Sequence, residues 1–323
     1  MPTPSTSQAD LPRLAWPLAS TTLEALQPLV LVLAFQLGAM HLVRGHNPIN
    51  FCNGLLFGNA FSLAMLLLIQ RTRPVSPPVR RRPWRQLRRV AVPVVINALG
   101  EVGLLIALSR VAAVQVALAQ ALGSVLLLLL VAGRQRRWPM PMALVGSALV
   151  VGASWLAAPA GEMVDMMETL APIGLNLLPN TVAFNGMLLL ALTLLSALYF
   201  LTSAPVAEEL GAIHYGIWQS LLQTVIFFVW ATSTFGLQHL YDLQSPLLWL
   251  MMLIYGGVIS TVYTLVENQA LARSGALLVS LFEGLLPLFS ALFAWLLLQE
   301  AFGFNTLISA LLAAIGIACV ELA

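Results

Sequence analysis

Ten apolar runs of about twenty residues, parted by short polar breaks, leave this chain little choice but a bundle of membrane-crossing helices. A bilayer core offers no water to unpaired backbone groups, so each run must satisfy its own hydrogen bonds as a helix. The runs fall near residues 22–43, 48–70, 90–109, 113–133 and 139–158, and then near 184–205, 213–235, 246–270, 276–298 and 304–322. Composition excludes a soluble alternative. Hydrophobic residues make up 59% and charged residues 9%, whereas an ordinary soluble domain has roughly a quarter charged residues. Mean hydropathy is +0.90. Glu24, Gln27 and Pro28 interrupt the start of the first run, and Pro48, Pro139 and Pro246 stand at helix openings, where the missing N–H costs nothing. The two cysteines, Cys52 and Cys319, lie inside apolar stretches and read as small core residues.

The chain carries a faint copy of itself. Residues 107–122 and 270–285 agree at seven of sixteen positions, and each opens with Ala-Leu-x-Arg: Ala107, Leu108 and Arg110 in one, Ala270, Leu271 and Arg273 in the other. Their offset of 163 is close to half of the 323 residues. Four segments follow: a disordered N-terminal segment over 1–21, a five-helix repeat over 22–158, a polar linker over 159–183, and a second five-helix repeat over 184–322. An odd number of spans per half makes the two repeats inverted.

Charge orients them. Arg71, Arg73, Arg80, Arg81, Arg82, Arg85, Arg88 and Arg89 lie between the second and third runs, and Arg134, Arg136 and Arg137 follow the fourth. The positive-inside bias makes both loops cytoplasmic, which places both termini inside and the 159–183 linker, with Glu162, Asp165 and Glu168, outside. Arg110 then faces out and Arg273 in. A basic cluster of this kind also suits nucleic acid or anionic lipid. Its position between two spans favours topology marking, and no nucleic-acid partner is expected. The N-terminus lacks the basic start of a signal peptide, and the first apolar run is too long for one.

A charged side chain at mid-bilayer costs about 2.5–3.5 kcal/mol on insertion scales, so an intramembrane carboxylate needs a partner, a wet cavity or a proton. Glu101 lies twelve residues beyond Arg89, roughly 18 Å at a rise of about 1.5 Å per residue, near the middle of the third helix. Glu283 lies about a third of the way along the ninth. Asn97 sits one turn before Glu101 on the same face, and Gly100 and Gly103 leave room for a neighbour or a ligand. Two readings are open. In one, Glu101 and Glu283 line a central cavity with Asn97, Gln115 and Gln120 as hydrogen-bonding partners. Trp218, Gln219 and Gln223 of the seventh helix face it, and one carboxylate exchanges protons. In the other, the glutamates are protonated and join neighbouring helices.

Remaining polar positions are expected to be structural. Glu267 pairs with Arg273 at a helix mouth, near Tyr263 and Asn268. Gly54 and Gly58, flanked by Asn53 and Asn59, form a small-xxx-small pair that suits packing within the chain more than dimerisation, in a monomer or a homodimer. His41, His46, His214 and His239 form no metal-ligand constellation, and no phosphate loop or hydrolase motif is present, so neither cofactor, metal nor enzyme activity is expected.

The stretch from Ala276 to Glu300 resembles the penultimate helix of EamA-type proteins in the drug/metabolite transporter superfamily. Glu283, Pro287 and Glu300 match that helix's pattern, Gln299 replaces its glycine, and Ser309 to Glu321 with Gly316 is similar to the family's last helix. In the first half Gln120 and Ser124 stand where Glu283 and Pro287 stand, and Arg134 to Arg137 replace the Gly-Glu. The resemblance implies ten helices in two inverted five-helix repeats that move small metabolites. The resulting expectation is an all-α, multi-pass protein of the plasma (inner) membrane: a secondary transporter that carries a small metabolite or drug-like solute by alternating access, proton-coupled if a carboxylate titrates. The competing class is a receptor or scaffold subunit built on the same bundle.

Overall fold

The computed structural model describes residues 11–43, 47–72, 83–108, 113–136, 141–156, 182–298 and 304–321, and every regular element among them is helical. The first half contains α1 (Leu11–Met40), α2 (Phe51–Thr72), α3 (Pro83–Leu108), α4 (Ala113–Gln135) and α5 (Pro141–Leu156). The second contains α6 (Val182–Leu210), α7 (Ala212–Phe235), a 3₁₀ segment Leu237–Gln244, α8 (Pro246–Met252), a π-helical segment Leu253–Ser260 and α9 (Thr261–Phe282). A 3₁₀ turn Glu283–Leu285, α10 (Leu286–Leu298) and α11 (Phe304–Glu321) complete it. Expectations on residues 1–10, Arg73, Arg80, Arg81, Arg82, Arg110, Arg137, most of the linker, Gln299 and Glu300 fall outside the described residues.

Among the described residues, six helical stretches are long and apolar enough to cross a membrane: Leu14–Met40, Phe51–Thr72, Gln86–Ala107, Ala183–Leu210, Ala212–Thr234 and Pro246–Leu285. Helix is also found within the other expected ranges, in α4, α5, α10 and α11. The first helix begins at Leu11 rather than near 22. Its early turns are held by the Thr21 hydroxyl, which donates to the carbonyl of Pro17 (3.1 Å), and by Trp16, whose ring lies 5.3 Å beneath the Arg273 guanidinium. The second begins at Phe51 rather than at Pro48, because the Asn50 side chain caps the Asn53 N–H (3.0 Å).

Three backbone departures shape the second half. At Gly275 the chain leaves helical geometry (φ 81, ψ 163), a conformation that glycine adopts without steric cost, and this turns the path between the ranges expected as the eighth and ninth spans. At Pro287 the proline has no N–H to return to the carbonyl of Glu283. The Leu286 N–H takes that carbonyl instead, which tightens the turn to 3₁₀. In the π-helical segment the Thr261 hydroxyl donates to the Gly256 carbonyl (2.9 Å).

At Gly256 the backbones of the two halves cross closely. A Cβ there would lie 2.2 Å from the carbonyl oxygen of Gly58 and 2.7 Å from its Cα. The predicted packing role of Gly58 is thus realised within the chain, against the π-helical backbone. One apolar cluster then joins Leu31, Phe35 and Leu55 to Phe227, Leu248 and Met252. A second joins Val90, Val94 and Leu127 to Phe200, Tyr215 and Leu271.

The pairings have a regular form. Helix α1 packs on α9 as α6 packs on α3, and α1 meets α10 as α6 meets α4. Likewise α2 meets the π-helical segment as α7 meets α3, while α2 and α7, and α5 and α11, pair across the halves. The contact between α6 and α9 has no counterpart of similar extent between α1 and α3 among the described residues.

Replacing Gly256 with alanine forces α2 off the π-helical segment. The variant is expected to lose about 1–3 kcal/mol of stability, the usual cost of overpacking, read as a lower thermal midpoint of the purified protein. Gly100→Ala serves as the control, since a Cβ at Gly100 meets nothing within 4 Å. Equal midpoints for the two variants would contradict the close crossing.

Candidate functional site

The polar side chains of both halves converge on one cavity of about 240 Å³. Its lining includes four glutamates, Glu24 of α1, Glu101 of α3, Glu267 of α9 and Glu283 at the 3₁₀ turn, and no described lining residue is an arginine or a histidine. Glu267 and Glu283 are buried (2% and 3% exposed), whereas Glu24 and Glu101 keep part of their surface open.

Each carboxyl is held by its own donors. Glu101 Oε1 accepts from Gln223 Nε2 (2.8 Å) and from Asn97 Nδ2 (3.1 Å), while its Oε2 is buried with no hydrogen-bond partner. Glu283 Oε2 accepts from the Ser196 hydroxyl (3.3 Å), and Glu267 Oε2 from the Tyr199 hydroxyl (3.0 Å), with Tyr263 beside the same carboxyl. Gln120 Nε2 donates to Glu24 Oε1 (3.2 Å). The carboxyls of Glu24 and Glu283 also face each other within hydrogen-bonding reach. Two carboxyl groups can share such a bond only if one of them carries a proton. Glu267 lies within Coulombic reach of Glu24 and Glu101, so the four groups form one electrostatic unit.

Gln120 and Glu283, which stand 163 positions apart, both meet the carboxyl of Glu24.

Of the residues singled out from sequence, Glu101, Glu283, Asn97, Gln120, Gln219 and Gln223 all line the cavity. Gln219 Oε1 accepts from Asn268 Nδ2 (3.4 Å). Trp218 is not among the lining residues, and it packs against the apolar cluster around Val90 and Tyr215. Gln115 lies in α4, and its side chain is outside the described residues.

Two glutamates were assigned differently by sequence. Glu267 was expected to pair with Arg273, yet it points into the cavity while the exposed Arg273 lies over Trp16. Their spacing of six residues already places them on different helix faces, whereas Tyr263, one turn away, shares the face of Glu267. Glu24, Gln27 and Pro28 read as an interruption of the first helix. Their spacings of three and four put them on one face, and all three line the cavity. Tyr199, Tyr255 and Ser196 carry no sequence signal that separates them from packing residues.

Polar contacts between the halves lie at both ends of the bundle. Near the Arg89 end, Arg89 of α3 forms an ion pair with Glu209 of α6, and Gln70 of α2 meets His214 of α7 (3.3 Å). At the opposite end, Asn53 donates to Asp242 (2.9 Å).

Comparison with known proteins agrees with this architecture. Residues 184–322 match the EamA-like transporter family. An uncharacterized transporter of Synechocystis sp. is 27% identical over 279 residues, covering 82% of this chain and 74% of that protein. A solved crystal structure shares the fold at a TM-score of 0.62 and 16% identity, with 98% of each chain covered. The chain is therefore a multi-pass membrane protein whose second half, residues 184–322, is similar to the EamA-like transporter family.

Proposed function

We propose that this protein is a secondary transporter of ten membrane-crossing helices in two inverted five-helix repeats, moving a small solute through the glutamate-lined cavity by alternating access. The observation that carries this reading is the cavity itself: four carboxyls from both halves face one shared space, with contacts between the halves at either end. The helix pairings support the inverted repeat, since they map largely onto one another when each helix is exchanged for its partner in the other half. Positive-inside charge favours cytoplasmic termini in the plasma (inner) membrane.

In this reading the site residues divide their work. Glu101, Asn97, Gln219 and Gln223 contact the solute. Glu24 and Glu283, with Gln120 between them and the first repeat, hold a shared proton whose release separates two like charges and loosens the contact between α1 and α10. Rocking of one half against the other exposes the cavity to each side in turn. Glutamates that merely joined helices would not need to surround an open space.

Reconstituted into liposomes, the protein is expected to give solute flux above empty vesicles for at least one class among amino acids, nucleobases and organic amines. Glu101→Gln, expressed at normal levels, is expected to lower that flux at least tenfold. No flux for any class would overturn the transport reading. Proton coupling has its own measurement: an imposed pH gradient should change the rate in the unaltered protein and leave Glu283→Gln unaffected. A gradient response that survives in both Glu283→Gln and Glu24→Gln would remove the proton from the mechanism.

A further inference from the structure

We propose that the cavity selects small cationic solutes carrying an N–H donor, a primary or secondary ammonium group, and that the Glu101 carboxyl receives that group beside the Tyr255 ring. The inference rests on the transporter reading and adds the charge and hydrogen-bonding character of the solute.

The two oxygens of Glu101 differ in their surroundings. Side-chain amides of Gln223 and Asn97 donate to Oε1, an arrangement that suits a carboxylate, because amide N–H groups find an acceptor there. Oε2 is buried and has no hydrogen-bond partner, although a buried acceptor is almost always satisfied. Glu101 lines the cavity, and its Oε2 lies beneath that surface as an acceptor without a donor. A hydroxyl or an amide in a solute would meet that geometric need. An ammonium group would also answer the charge, since Glu24, Glu267 and Glu283 face the same space and no described lining residue is basic. An anionic solute would add to the repulsion.

Aromatic surface completes the case. Tyr255, carried by the π-helical segment, lies within electrostatic reach of Glu101, and Tyr199 and Tyr263 flank Glu267. Tyrosine faces attract a cation and accept the apolar body attached to it. Gly58 admits the Tyr255 ring, for a Cβ at that position would stand 2.8 Å from its Cε1. The cavity volume of about 240 Å³ falls below the roughly 300–1,000 Å³ of drug-sized pockets, which points to a small amine.

The test measures binding to the purified full-length protein at neutral pH, by calorimetry or thermal shift. The probes are a series of primary amines from methylamine to phenethylamine, together with three relatives of the last: its trimethylammonium analogue, 2-phenylethanol and 3-phenylpropanoate. At least one amine is expected to bind, and phenethylamine to bind at least tenfold tighter than the alcohol or the carboxylate. Methylating the nitrogen should weaken binding, because it removes the N–H donors. Glu101→Gln should weaken amine binding tenfold or more. The proposal is overturned if no amine binds, if the alcohol, the carboxylate or the trimethylammonium analogue binds as tightly, or if Glu101→Gln changes nothing. The comparison among probes needs no variant, so it stands even if Glu101→Gln fails to fold. Flux of neutral or anionic solutes alone would sink this inference and leave the transporter reading in place.

Discussion

Four glutamate side chains share one space with no basic residue among its described lining, and most of the polar architecture answers that fact. Two like charges about 4 Å apart repel by about 4 kcal/mol at an effective dielectric of 20, so the four carboxyls cannot all stay charged without cations or protons between them. The lining distributes donors accordingly: two amides on Glu101, a hydroxyl on Glu283, a phenol on Glu267 and one amide on Glu24. Glutamates are thus separated by their donors except at Glu24 and Glu283, where the carboxyls meet directly.

The backbone irregularities fall where this chemistry needs them. The π-helical segment presents Tyr255 to the cavity, and the glycine crossing of Gly58 and Gly256 brings α2 against it. The 3₁₀ turn set by Pro287 places Glu283 at the head of α10 rather than within a regular span. Regular helix would satisfy the backbone equally well in a bilayer, so departures from it beside the cavity are explained by what they position.

Much of the fold was legible because its signals are periodic and local. Apolar runs gave the helical ranges, and the repeat offset linked Gln120 with Glu283, which the structure brings to a common partner. Of the site, Glu101 and Asn97 could be read together because one helix turn separates them, and Gln219 and Gln223 for the same reason. What could not be read was partnership across helices. Glu267 looked like half of an ion pair because Arg273 is near in sequence, but Tyr199 of another helix takes its oxygen. Trp218 adjoins Gln219 in sequence and faces the apolar core, since neighbours on a helix point about 100° apart. Glu24 was legible only as a disturbance of hydropathy, which is how a cavity-lining face registers in a one-dimensional scan.

The account depends on the two halves moving around a common site, and the contact between Gln70 and His214 offers a direct handle on that motion. With Cys52 and Cys319 replaced by alanine, Gln70→Cys and His214→Cys can be joined by a short, reducible bifunctional thiol reagent, and solute flux measured before linking, after linking and after reduction. The account predicts that flux stops when the ends are tied, that solute binding persists, and that reduction restores transport. Unchanged flux with the link in place would contradict it.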